Sequence, residues 1–267
     1  MNLPMEQGHY GSAPQQWLAD FQVDRPLRME IYAIARILDG LEIGKMTCLD
    51  IGMPNPVGSL YLRRLGGYWS SVCPTPEQCR SASAILEEDV LQAGPGGELP
   101  FDDKQFDVVV IARGCLTGDP DRDMALVQEC HRVLKTPGSL LVSCDYRKRL
   151  NLAGLLVRRT GQIQNPGYNE RQLFDLLKTG FDVLGVRTYC RFWVQLVRLI
   201  LDAPGRGKGR AASGLYWIAS QLDALLFLTK GYQAIAHGSR KGWRVRQPLS
   251  ARHGMHISES VLHRSRR

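Results

Sequence analysis

The chain has 267 residues, 44% of them apolar and 22% charged, which is ordinary globular usage and excludes a wholly disordered polymer. That length fits one large α/β domain with an extension. The net charge of +8 is unevenly placed: from Ala203 to Arg267 there are 12 Lys and Arg against Asp223 and Glu259, a net of +10, which leaves −2 on residues 1–202.

Met1 to Gly11 shows neither a basic start nor an apolar run, so no secretory signal is expected. The first predicted helix covers about Arg25 to Leu41, where Ile31, Ile34, Leu38 and Leu41 recur at helical spacing. Met46 to Ile51, closed by Gly52, reads as a strand covered on both faces. Asn55 and Pro56 supply a cap and a first position for the next helix, which Gly66-Gly67 ends, and Tyr68 to Val72 follows as a second strand. Phe106 to Ala112 is β-branched and short, hence a central strand. Asp119-Pro120 starts a helix that ends near Lys135, and Ser139 to Cys144 makes the fourth strand. A helix over Glu170 to Lys178 and a fifth strand over Phe181 to Tyr189 come next.

Strand and helix alternate, which predicts a doubly wound α/β sheet, mostly parallel, with right-handed crossovers and helices on both faces. Ligands of such sheets sit beyond the carboxyl ends of the strands. Two apolar helical segments follow, Phe192 to Leu201 and Leu215 to Leu228, both shorter than the roughly 20 residues a bilayer span requires. They fit core-packing or interfacial helices. Tyr232 to Ala236 reads as a last strand.

The segments Leu49-Asp50-Ile51-Gly52, Leu99 to Val109, and Glu129-Cys130-His131-Arg132-Val133-Leu134-Lys135-Thr136-Pro137-Gly138 together resemble class I S-adenosylmethionine-dependent methyltransferases, in particular the small-molecule group of the type 11 kind. The last segment is similar to that family's E-x-x-R-V-L-K-P-G-G. The resemblance implies a Rossmann-like fold with a closing antiparallel strand, a role for 232–236. It divides the chain into an N-terminal segment (1–24), a methyltransferase-like domain (25–240) with a hydrophobic helical insertion at 192–230, and a basic, flexible tail (241–267). It also implies S-adenosylmethionine as cofactor, with Asp50, Gly52, Cys73, Glu98 and Leu99 on the cofactor side. Arg113, Tyr146 and Tyr168 are candidates to face the acceptor.

The cofactor loop departs from the family pattern D-x-G-x-G-x-G, reading Asp50-Ile51-Gly52-Met53-Pro54-Asn55-Pro56, and prolines replace two glycines. The acidic residue that ends the family's second strand and holds the ribose is Cys73 here. Two readings follow: a methyltransferase acting on a small or lipid-like acceptor, or a non-catalytic protein of the same fold that binds another ligand or a protein partner. No N-P-P-Y motif follows the Phe106 strand, so a nucleic-acid substrate is not expected. The 7 cysteines form no C-x-x-C pair and lie in or beside apolar segments, which points to a reducing cytoplasm and no metal site. His131 is expected to be solvated on its helix. The basic tail and the 192–230 insertion give an expected peripheral membrane contact.

Overall fold

A computed structural model describes residues 12–147, 167–201, 210–226 and 229–241. Seven strands form one sheet: β1 (Thr47–Ile51), β2 (Tyr68–Cys73), β3 (Leu91–Gln92), β4 (Phe106–Ile111), β5 (Leu134–Asp145), β6 (Phe181–Tyr189) and β7 (Gln233–Arg240). Their order is β3-β2-β1-β4-β5-β7-β6. The pairs from β3 to β5 are all parallel, and β7 runs antiparallel to both β5 and β6. The four predicted strands 46–51, 68–72, 106–112 and 139–144 are therefore parallel neighbours in one sheet, and the sheet is the Rossmann-like one expected.

Helix starts follow from local chemistry. Asp24 accepts from Leu27 N–H before α2 (Arg25–Asp39), Thr75 from Gln78 N–H before α4 (Pro76–Leu86), and Asp119 from Asp121 N–H before α5 (Pro120–Val133). Each places proline in the first turn, where its missing donor costs nothing. Asn169 and Gln172 form a reciprocal capping box for α6 (Glu170–Leu177).

Helices cover both faces of the sheet. On one side α5 and α6 pack against Leu49, Ile51, Val109 and Ile111; on the other, α1 (Ser12–Val23), α2 and α3 (Pro56–Arg63) pack against Cys48, Val108, Val110 and Leu141. The split follows strand periodicity, in which alternate residues point to opposite faces.

Several boundaries differ from the sequence expectation. The segment 1–24 contains α1, whose Trp17, Leu18 and Phe21 pack in the second core. β3 has only two residues, too short to show a period. α5 ends at Val133 because Leu134 already pairs with Phe106 across a bulge, which lengthens β5 at its start. The last strand is longer than 232–236 and lies inside the sheet, with β6 at the edge. The two apolar helices are α7 (Phe192–Leu201) and α8 (Arg210–Leu225). Among the described residues no helix is long and apolar enough to cross a membrane. The tail beyond Lys241 lies outside the described residues, as do Leu228 and the basic pair Arg206 and Lys208.

Candidate functional site

A crevice of about 650 Å3 opens beyond the carboxyl ends of β1, β2 and β4. Its walls include Ile51, Gly52 and Pro54 after β1, Pro74 and Gln78 after β2, Gln92 to Pro95 after β3, and Arg113 to Cys115 after β4. Thr117, Arg122 and Leu126 close it. Among the described residues no carboxylate or imidazole lines it. Its volume is in the range of small-ligand sites, roughly 300–1,000 Å3.

Gly52 has φ +66°, and a Cβ there would collide with Cys115 Sγ. Its N–H donates to Val72 O at 2.7 Å, while the Cys115 thiol donates to Ile51 O at 3.3 Å. Glycine is needed here for both the left-handed backbone and the close approach. Burial pushes the Cys115 thiol up to about 12, so it stays neutral and serves as packing. Gly97 (φ +90°) and Gly114 (φ +100°) also line the crevice, and a Cβ on either would stand in open space.

The loop after β1 is shaped by the residues that break the family pattern. Asn55 Oδ1 accepts from Val57 N–H at 2.9 Å, Asn55 O accepts from Gly58 N–H at 2.9 Å, and Pro56 has no N–H to offer. The first-turn donors of α3 are thus consumed internally, so the usual anion-binding capacity of a helix start is closed to a ligand. Asn55 Nδ2 donates to Trp17 O at 3.0 Å, which ties α1 to the same loop.

Of the five cofactor-side residues expected from the sequence, Gly52 lines the crevice and the other four do not. Asp50 is 1% exposed and faces α3. It accepts from Ser59 Oγ at 3.0 Å, Ser71 Oγ at 2.8 Å and Arg63 Nη1 at 3.1 Å. Burial pushes its carboxyl up, and Arg63 with the two serines opposes that push. Cys73 is buried against Cys79, Ala82 and Leu86, and burial raises its thiol to about 12. Its register partner on β3, Gln92, does line the crevice. Glu98 folds back to accept from Gly96 N–H at 2.9 Å and stiffens its own loop. Leu99 is a core residue whose N–H donates to Glu129 Oε2 at 3.0 Å.

The residues that carry the family resemblance are mostly scaffold. Arg132 pairs with Glu129 and donates to Leu99 O, Phe101 O and Asp103, which clamps the loop before β4. The Arg132 hydrogen bond holds the Glu129 carboxyl below its ordinary value. Lys135 reaches Asp107 Oδ2 at 2.8 Å and Thr47 Oγ1 at 3.1 Å, at the edge of the sheet opposite the crevice. His131 is half-buried rather than solvated: its ring meets Phe181 edge-on at 5.6 Å, and burial with nearby Arg240 lowers its pKa.

Two features were not foreseen. Glu30 of α2 is fully buried, accepts from Arg113 N–H at 2.9 Å and pairs with the Arg113 guanidinium at 3.3 Å, so an N-terminal helix is pinned to a crevice wall. The signal was an acid on the apolar stripe of Leu27, Ile31 and Ile34. Asp123, in the first turn of α5, is 1% exposed and accepts from Thr117 N–H and Gly118 N–H, both at 2.8 Å, and from the Tyr168 hydroxyl. It sets the loop that carries Thr117 into the crevice. Of the acceptor-facing candidates, Arg113 lines the crevice, Tyr168 lines a smaller cavity of about 300 Å3, and the Tyr146 hydroxyl points to Glu170. The cysteines are free thiols. Among the described residues no group of His, Cys, Asp and Glu is placed to hold a metal.

A doubly wound sheet with a crevice at the strand ends, a glycine turn after β1 and an antiparallel strand between β5 and β6 defines the class I methyltransferase architecture. Residues 49–142 match the methyltransferase domain model, and the fold is the Rossmann-like one of methyltransferases. Similar solved structures include a protein of Pyrococcus horikoshii, 16% identical with a TM-score of 0.53, over 82% of this chain and 93% of that one. The geranyl diphosphate C-methyltransferase of Streptomyces coelicolor, solved with S-adenosylhomocysteine, is 14% identical with a TM-score of 0.52, over 79% of this chain and 76% of that one. The cyclase SpnF is 16% identical with a TM-score of 0.50, over 86% and 96% of the two chains. At these identities the likeness concerns the fold alone. No curated protein sequence matches.

Proposed function

We propose that the crevice binds S-adenosylmethionine and that the domain transfers a methyl group to a small or lipid-like acceptor. One observation carries this reading: the crevice lies within the segment matched to the methyltransferase domain, and three of its lining residues, Gly52, Gly97 and Gly114, are glycines with left-handed backbone. The lining fits an adenosyl group, because Ile51, Ala93, Pro95 and Leu126 offer apolar walls and Gln78 and Gln92 offer amides that both donate and accept to hydroxyls. Gln92 stands in for the ribose acid that Cys73 replaces. With the start of α3 closed, Arg113 and Arg122 are the groups that would meet the carboxylate of the methionine end.

When bound, the cofactor supplies a methyl group already activated on a sulfonium. The chain's own contribution is then to position the two reactants and exclude water, which needs no acid or base in the lining. The Glu30–Arg113 pair and the Asp123 cage hold the two walls rigid for that purpose. Wall atoms locked by buried pairs lose little entropy on binding.

A second reading, a non-catalytic protein of this fold that binds another ligand or a protein partner, draws support from the internal use of Asp50, the self-capped α3 and the burial of Cys73. The presence of this fold in a cyclase supports it too. Thermal unfolding with S-adenosylhomocysteine separates the two readings. At 100 times Kd a ligand adds about 2.7 kcal/mol, or roughly 5–11 °C in Tm for a domain of this size. An unchanged Tm at about 1 mM ligand, a concentration that saturates any micromolar site, rejects the methyl-transfer reading.

A further inference from the structure

The helix α8 leaves much of its apolar surface facing outward. Its inward positions are Tyr216, Ala219, Ser220 and Asp223, and its outward positions are Leu215, Trp217, Ile218, Leu222 and Leu225. Asp223 is buried and accepts from Trp193 N–H at 2.7 Å, capping α7, and Ser220 Oγ accepts from Arg25 of α2 at 3.0 Å. These two polar groups are therefore used inside. Outside, Leu215, Ile218, Leu222 and Leu225 recur at helical spacing on one stripe, with Ile218 52% and Leu225 75% exposed, and Trp217 (57%) and Trp193 of α7 (37%) are exposed as well. A helix folded only for water places these residues the other way round. Contiguous exposed apolar faces mark contact surfaces.

We infer that this face docks α8 in the surface of an anionic lipid bilayer. The helix has 16 residues, enough to lie in an interface and too few to span it. Two tryptophans beside aliphatic side chains suit the headgroup boundary. Charge decides between lipid and a second copy of the chain. In the sequence Arg206 and Lys208 precede α8 and Arg210 begins it, against Asp202 and the buried Asp223, while Lys230 after it is paired with Glu170. A second copy carries the same excess of positive charge and repels it, whereas anionic headgroups attract it. The 203–267 region adds to that attraction with its net +10.

Docking at this face also orients the molecule. β7 is antiparallel to β5 and β6, so α7 and α8, which connect the end of β6 to the start of β7, are attached at the carboxyl edge of the parallel strands. That is the edge where the crevice opens. A bilayer-dissolved acceptor would then be brought to the crevice mouth. This extension rests on the methyl-transfer reading, while the docking itself does not.

The test is sedimentation of the full chain with vesicles of phosphatidylcholine alone and of phosphatidylcholine mixed with phosphatidylglycerol. It is run near 0.1 M salt, where the Debye length is about 10 Å, and near 1 M, where it is about 3 Å. The wild type is expected to sediment with the anionic vesicles at low salt, and Trp fluorescence to be quenched by brominated acyl chains. The double variant Ile218→Glu, Leu222→Glu, at outward positions and with Tm unchanged, should partition at least about tenfold less, equivalent to about 1.4 kcal/mol. Wild-type protein that stays in the supernatant overturns the inference. So does a double variant that sediments like wild type, because the basic segments alone would then account for binding. A wild type that is dimeric without lipid, made monomeric by the double variant and unquenched by brominated lipid, assigns the face to a second copy instead.

Discussion

Replacing Asp50 by alanine should cost stability and leave ligand binding intact. The carboxylate is 2% exposed and accepts hydrogen bonds from Ser59, Ser71 and Arg63, whose own side chain is 12% exposed. Breaking a buried ion pair from one side costs about 3–5 kcal/mol, because the remaining charge is left without its partner. Arg63 keeps a second contact to Glu88 at 2.8 Å, and the Glu88 side chain is 45% exposed, so the low end, about 3 kcal/mol, is expected. For a domain of this size that is roughly 6–12 °C in Tm. Calorimetric unfolding measures it, and a urea titration should show a lower midpoint at unchanged slope. Glu88→Gln serves as the control, since it removes only the solvent-facing contact and should cost about 1 kcal/mol or less. An Asp50→Ala protein that melts within a degree or two of wild type, or one that melts normally and loses S-adenosylhomocysteine binding, would refute the scaffold role and return Asp50 to the ligand.

Gln92→Ala should weaken S-adenosylhomocysteine binding about three- to tenfold, the worth of one or two neutral hydrogen bonds, with Tm unchanged in the absence of ligand; titration calorimetry reads the first and a thermal melt the second. Glu129 has its pKa held down by Arg132, so its stabilisation is present above the ordinary carboxyl value of 4.5 and is lost as pH falls through the depressed value. Glu129→Gln should therefore lower Tm at pH 7 and flatten its fall below pH 4.5, as seen in a pH series of melts. His131 acts in the same direction in a higher pH window: burial lowers its pKa below the ordinary 6.5, so the unfolded chain takes up the proton first and stability drops as pH falls below 6.5. His131→Gln should reduce that drop, with the part due to His237, also lowered by burial, remaining.

The sheet was legible because its central strands are short, apolar and buried on both faces, so that Phe106 to Ile111 can be nothing else, and because Asp119-Pro120 and Asn55-Pro56 announce helix starts with their own chemistry. β3 escaped because two residues carry no period. The site was less legible than the fold. In a strand covered on both faces, sequence does not say which face a residue takes: Leu49 and Ile51 point to the α5 side, so Asp50 points toward α3 and away from the crevice. The residues that do line the crevice, Gln78, Gln92 and Arg122, have no motif of their own. The Glu30–Arg113 pair joins residues 83 apart in sequence, a distance that only the folded sheet closes.

The central claim is that the crevice at the ends of β1, β2 and β4 holds an S-adenosyl ligand despite Pro54, Pro56 and Cys73. Isothermal titration of the full chain with S-adenosylhomocysteine tests it most directly. A single saturable site, weakened by Gln92→Ala and indifferent to Asp50→Ala at temperatures where that variant is folded, is the predicted result. No heat of binding at about 1 mM ligand, with the protein folded throughout, would contradict it.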